Sequence, residues 1–206
     1  MGRLTPMVSR RHVMAGSAGA VVAWSAPSVT SLGSAAVAQS SGFGPFKPVA
    51  FNGAVCLNSP PPNLAPGAPE LDSPDFTFIW LEAGCVVLTA PLPVNFSGNG
   101  AFNGGTDDGT FVAAGSKICS YIVHGDRLDN NGELTGGATF ANPIVGLIYR
   151  APELNGSSFL ENPATMYEYG PMEARDTGDV DLATNTIRWN FTFGPVTDQI
   201  RVITLC

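Results

Sequence analysis

The chain has 206 residues, with 10 Lys and Arg, 17 Asp and Glu, 2 His and a formal net charge of −7. Charged residues are only 13% of it, hydrophobic residues are 44%, and Gly (24) and Pro (17) are abundant. This mixture excludes an intrinsically disordered chain, which needs low hydrophobicity and high charge, and a helical bundle, which Gly and Pro disfavour. The acidic balance argues against nucleic-acid binding, which rests on cations meeting phosphate.

The first segment reads as an export address. Arg10 and Arg11 precede an uncharged stretch rich in Gly and Ala that runs from Val13 to Pro27, and Ala36-Val37-Ala38 fits a small-residue cleavage site. Paired arginines before a weakly apolar run resemble a twin-arginine signal, with the general secretory route as the alternative. The expected location is secreted or periplasmic. Cleavage after Ala38 would leave 168 of 206 residues, and loss of Arg3, Arg10 and Arg11 would take the charge from −7 to −10. No later apolar run reaches the ~18 residues of a membrane span. The expected organisation is a signal over 1–38, a Pro-rich lead-in with one strand over 39–74, read as a tether, and a single domain over 75–206.

Four cysteines, Cys56, Cys85, Cys119 and Cys206, lie beyond the signal. An even count in an exported chain predicts two disulfides, with Cys56–Cys85 and Cys119–Cys206 the favoured pairing of three. A zinc site competes poorly, because no C-x-x-C pair exists.

In chain order, a strand is predicted from Val49 to Leu57. A hairpin is predicted from Phe76–Leu81 and Cys85–Leu88, split at Glu82-Ala83-Gly84. Pro91 and Pro93 push Val94–Phe96 to an edge, and the Gly/Asn/Asp-rich run Ser97–Gly109 reads as an exposed, mobile loop. Lys117–His124 is a strand with Cys119, Tyr121 and Val123 on one face and Ile118, Ser120, Ile122 and His124 on the other. Leu134–Phe140 follows, with a bulge expected at Gly136-Gly137. Then come a strand over Ile144–Tyr149, a helical turn within Glu153–Leu160, and strands over Asp179–Leu182, Thr186–Phe193 and Gln199–Leu205. Thr186–Phe193 alternates Ile187, Trp189, Phe191 and Phe193 with polar residues, the pattern of one buried and one wet face. Short strands at this spacing indicate an all-β, jelly-roll-like β-sandwich with long Gly/Pro-rich loops.

Three segments carry a resemblance. GSKICSYIVHGD, ATFANPIVGLIYRAPEL and TDQIRVITL resemble the SYLVHFD, PILGVI and DxIRVIT strands of secreted bacterial β-sandwich proteins, some of them anchored to the cell envelope. The likeness covers about residues 110–205 and implies a fold, not functional residues. Gly125 stands where an aromatic is common in those proteins, and the chain reaches Cys206 without the apolar tail that anchoring needs.

No enzymatic constellation is legible. His124 is the single histidine beyond the signal. Ser120, four residues before it on a strand, would sit about 13 Å away, too far for a nucleophile–base pair. Asp126 lies nearer, but no G-x-S-x-G elbow is present. Glu133, Glu153, Glu161, Glu168 and Glu173 could supply a glycosidase pair, but nothing places two across a cleft. Asp126, Asp129 and Asn131 form a candidate Ca²⁺ loop, without the EF-hand spacing. Further acidic clusters are Asp107-Asp108 and Asp176, Asp179 and Asp181. Trp80 and Trp189 read as core, whereas Tyr167 and Tyr169, in a segment flanked by Pro and Gly, are the better candidates for a sugar-stacking platform. The expected function is therefore an exported, non-catalytic binding or surface-associated protein, with glycan as the ligand class. The alternatives are a purely structural envelope or matrix component, and a carboxylate-dependent glycoside hydrolase.

Overall fold

A computed structural model describes residues 48–127, 131–193 and 196–206. The signal segment therefore lies outside the described residues. Among the described residues there are twelve strands: β1 (Pro48–Asn52), β2 (Ala54–Cys56), β3 (Thr77–Val87), β4 (Leu92–Val94), β5 (Gly100–Asn103), β6 (Thr110–Val112), β7 (Lys117–Gly125), β8 (Glu133–Phe140), β9 (Ile144–Ile148), β10 (Thr177–Asp181), β11 (Thr186–Thr192) and β12 (Asp198–Leu205). One short helix, α1 (Ala151–Gly156), runs into a 3-10 turn at Ser158–Leu160, where the sequence predicts a helical turn. The domain is all-β, as the spacing of its predicted strands implies.

Two five-stranded sheets make up most of it, in the orders β1-β8-β11-β10-β5 and β2-β3-β7-β12-β9. Every pairing is antiparallel except β2 with β3. Side chains from both sheets meet in one apolar cluster, with Ile79, Tyr121, Val123 and Val202 from one and Leu134, Ile187, Trp189 and Phe191 from the other. The period-two face of β11 thus enters the core, and its polar alternates remain partly or fully exposed.

The second sheet is buried on both faces. Ile118, Ile122 and His124 on the outer side of β7 are as buried as Cys119 and Val123 on the inner side. Leu88, Leu154 and Leu160 pack against Ile118 and Ile203 at one end of that outer face, and Leu64 and Leu71 against Trp80 and Ile122 at the other. Leu64 and Leu71 come from the Pro-rich stretch, so residues 57–75 form part of the packed domain and not a tether. Pro supplies fixed, extended backbone there while Leu64 and Leu71 provide the burial.

Four local expectations change. The strand from Val49 to Leu57 breaks at Gly53, whose φ of +56° and close approach to the Thr135 carbonyl admit no side chain; β1 and β2 then enter different sheets. The hairpin at Glu82–Gly84 is instead one continuous strand, β3, with two register shifts, between Leu81 and Ala83 and between Ala83 and Val86. The Gly136-Gly137 pair is not a bulge: β8 pairs in register with β11 through both residues. Gly136 is open because the Trp189 indole occupies the place of a side chain. Finally, Ser97–Gly109 contains β5, which closes the first sheet against β10 and buries Phe102 against Tyr149.

Candidate functional site

The candidate ligand platform is turned largely inward. Tyr167 and Tyr169 are half-buried, with ring centroids 5.7 Å apart. The Tyr169 hydroxyl donates to Glu161 Oε1 at 2.5 Å and accepts from Arg201 Nη2 at 2.8 Å. The Tyr167 hydroxyl accepts from the Asn162 backbone N–H at 3.0 Å. Burial raises both phenols above their ordinary range.

The reason lies under them. Arg201, from β12, is fully buried and forms a two-pronged ion pair with Glu82 of β3, Nε to Oε2 at 2.7 Å and Nη2 to Oε1 at 2.6 Å, with both side chains 0% exposed. Ser120 donates to Glu82 Oε2 at 2.7 Å. Arg201 Nη1 donates to the Leu154 carbonyl at 3.1 Å and to the Ser157 hydroxyl, tying α1 to the sheet. The first register shift of β3 lies beside Glu82, which meets Arg201 across β7. Removing two charges from water is costly, and the fork geometry with added hydrogen bonds is what offsets it. Ser120 thus serves this network and not His124.

His124 is fully buried. Its Nδ1 lies 3.1 Å from Gln199 Nε2, directly across the β7–β12 pairing, and accepts from it. Burial holds its pKa down to about 3, so the ring is neutral at physiological pH. The Asp126 carboxylate accepts from the Gly67 N–H at 2.7 Å, and its backbone carbonyl accepts from the Ser73 N–H, which fastens the Pro-rich stretch. Burial raises its pKa. Of the candidate Ca²⁺ loop, Asp126 is therefore engaged inward, Asn131 is exposed, and Asp129 lies outside the described residues.

Two glutamates are held by partners of their own. Glu82 with Arg201, and Glu153 accepting from Asn95 at 2.9 Å, are structural partners. Two aspartates come together instead. Asp176 accepts from the Thr192 N–H at 2.8 Å and the Glu173 N–H at 2.5 Å, and the Asp198 carboxyl is hydrogen-bonded to it. Burial, then the Asp176 charge, pushes the pKa of Asp198 up to about 9. The pair holds one proton at neutral pH, Asp198 donating to Asp176, and both residues are sealed from solvent. The two residues stand on either side of β11 in the sequence, so no local spacing signals their contact.

The cysteines depart most from expectation. Cys56 faces Ile79 across β2 and β3, and Cys85 lies six residues further along β3. That separation is roughly 15–20 Å, beyond the ~7 Å Cα limit of a disulfide, so the expected Cys56–Cys85 bridge is excluded. Cys85, Cys119 and Cys206 instead converge, with all three sulfurs within 4.8 Å of one another. The Cys119–Cys206 half of the expectation thus has its partners together, but with a third sulfur beside them, and all four cysteines are thiols in the structure.

A concavity of about 260 Å³ is lined by Tyr169 together with Glu168, Pro171 and Glu173, and a larger one lies elsewhere. A groove of about 490 Å³ runs along Val86–Pro93 and is closed by Gly156 and Phe159. None of the residues lining it is charged, and Phe159 is 57% exposed at its side. Comparison with protein-family models, curated proteins and solved structures returns no match for this chain. Among the described residues, no helix is long and apolar enough to cross a membrane.

Proposed function

We propose that this chain is an exported, non-catalytic binding protein of jelly-roll-like β-sandwich architecture that takes a neutral glycan in the groove between Val86–Pro93 and Phe159. One observation carries the reading: the groove has an uncharged lining beside an exposed aromatic ring, on a chain of net charge −7. Such a surface repels polyanions and offers an apolar face to a sugar ring, with few polar groups to orient it. The buried chemistry supports the non-catalytic half. His124 is neutral and enclosed, and the Asp176–Asp198 pair has no face to solvent.

A neutral-glycan array probed with the wild-type chain and with Phe159→Ala tests it. Binding to at least one glycan class, weakened tenfold or more by Phe159→Ala and unchanged by Tyr167→Ala, is expected. Absence of binding to every neutral glycan, or binding that Phe159→Ala leaves intact, overturns it.

A further inference from the structure

The convergence of Cys85, Cys119 and Cys206 has its own chemistry. Cys85 and Cys119 lie on the adjacent strands β3 and β7, and Cys206 directly follows β12, the next strand, at one end of the second sheet. Cys119 is fully buried at the base, whereas Cys85 and Cys206 are exposed, so the cluster opens to solvent on one side. The backbone holds it in place. Cys85 has a φ of +51°, a left-handed conformation rare outside glycine, at the second register shift of β3. That conformation sets its N–H 3.4 Å from the Cys119 sulfur. The Cys206 N–H donates to the Lys117 carbonyl at 2.9 Å, which fixes the third sulfur against β7.

Three sulfurs are an odd number. Any disulfide within the trio leaves a thiol pressed against it, and Cys56 is too distant to take that thiol as a partner. A bound cation would hold all three as thiolates, with the displaced protons passing to solvent. Thiolates select soft ions. A tetrahedral ion with ~2.3 Å bonds to sulfur holds its sulfurs about 3.8 Å apart, within the spread found here.

We propose that Cys85, Cys119 and Cys206 form a three-thiolate site for one thiophilic d¹⁰ ion, Zn²⁺ or Cu⁺. Among the described residues no fourth side-chain ligand joins the cluster. A tetrahedral ion therefore keeps one position for water or an external ligand, the feature that separates open sites from closed structural ones. The ion would bridge β3 and β7 to the segment that follows β12.

The test uses the full chain, purified and reduced under anaerobic conditions, and titrated separately with Co²⁺ as the spectroscopic stand-in for Zn²⁺ and with Cu⁺ against a chromophoric chelator. One equivalent of Co²⁺ giving an intense thiolate-to-cobalt charge-transfer band, displaced by Zn²⁺, or one equivalent of Cu⁺ withheld from the chelator, is expected. Cys206→Ser and Cys85→Ser should each weaken binding at least 100-fold, and Cys56→Ser should leave it unchanged. Circular dichroism of each variant establishes that it is folded, and both exposed positions are chosen because they need no repacking. Failure of the reduced wild-type chain to bind either ion stoichiometrically, or equal loss in Cys56→Ser, overturns the proposal. So does a disulfide within the trio that persists in protein isolated with metal present throughout.

Discussion

Asp198→Asn should make the protein more stable, and the gain should grow with pH. In the folded chain the Asp198 carboxyl keeps its proton up to about pH 9, because burial and the Asp176 charge oppose ionisation. In the unfolded chain it ionises near its ordinary value of 3.8. Between those values the folded state binds one more proton than the unfolded state, so this residue's contribution falls as pH rises, by about 1.4 kcal/mol per pH unit. At pH 8 the accumulated cost approaches about 6 kcal/mol. An asparagine carries no such cost, and its amide can donate to Asp176 as the acid did. Its second N–H, left buried without a partner, costs about 1–3 kcal/mol in return. The net expectation at pH 8 is a gain of about 3 kcal/mol or more. Urea unfolding from pH 6.5 to 8.5 is the assay, since His124 does not titrate in either direction across most of that window. Wild type should lose stability steadily there, and Asp198→Asn should lose markedly less. Equal slopes for the two proteins would show that Asp198 is ionised in the fold and refute the reasoning.

Three further outcomes follow from the same geometry. Arg201→Met should cost about 3–5 kcal/mol in urea unfolding at pH 7 because it strands the buried Glu82 carboxylate, and the double variant Glu82→Leu/Arg201→Met should recover part of that loss. His124 is neutral when folded but binds a proton below about pH 6.5 when unfolded, so it withdraws stability as pH falls from there towards 3; His124→Asn, which keeps an acceptor for Gln199, should flatten that acid limb whatever its cost at neutral pH. Gly125→Ala should destabilise by about 1–3 kcal/mol in thermal unfolding, since a methyl there would lie 2.7 Å from both the Phe191 and Phe193 rings.

Gly125 shows the same dependence on distant neighbours. The rings of Phe191 and Phe193 fill the space beside it from the other sheet. No reading of Gly125 by itself would reveal that, because those rings stand more than sixty residues away in the chain.

Local pattern determined a good deal. The alternation of Thr186–Phe193 placed Trp189 and Phe191 in the core, the spacing of short strands indicated an all-β domain, and the helical turn near Glu153–Leu160 was legible from its setting. Each of these rests on neighbours in sequence, where period and propensity act. Tertiary structure alone decided the rest. A glycine with positive φ at position 53 sends one apparent strand into two sheets. The second sheet is buried on both faces because the Pro-rich stretch and α1 lie over it, which draws Tyr169 inward to Arg201. Asp198 meets Asp176, and Cys85 meets Cys119 and Cys206, only because strands far apart in sequence become neighbours. Proton sharing and thiolate chemistry act over a few ångströms in space, and no spacing along the chain records that distance.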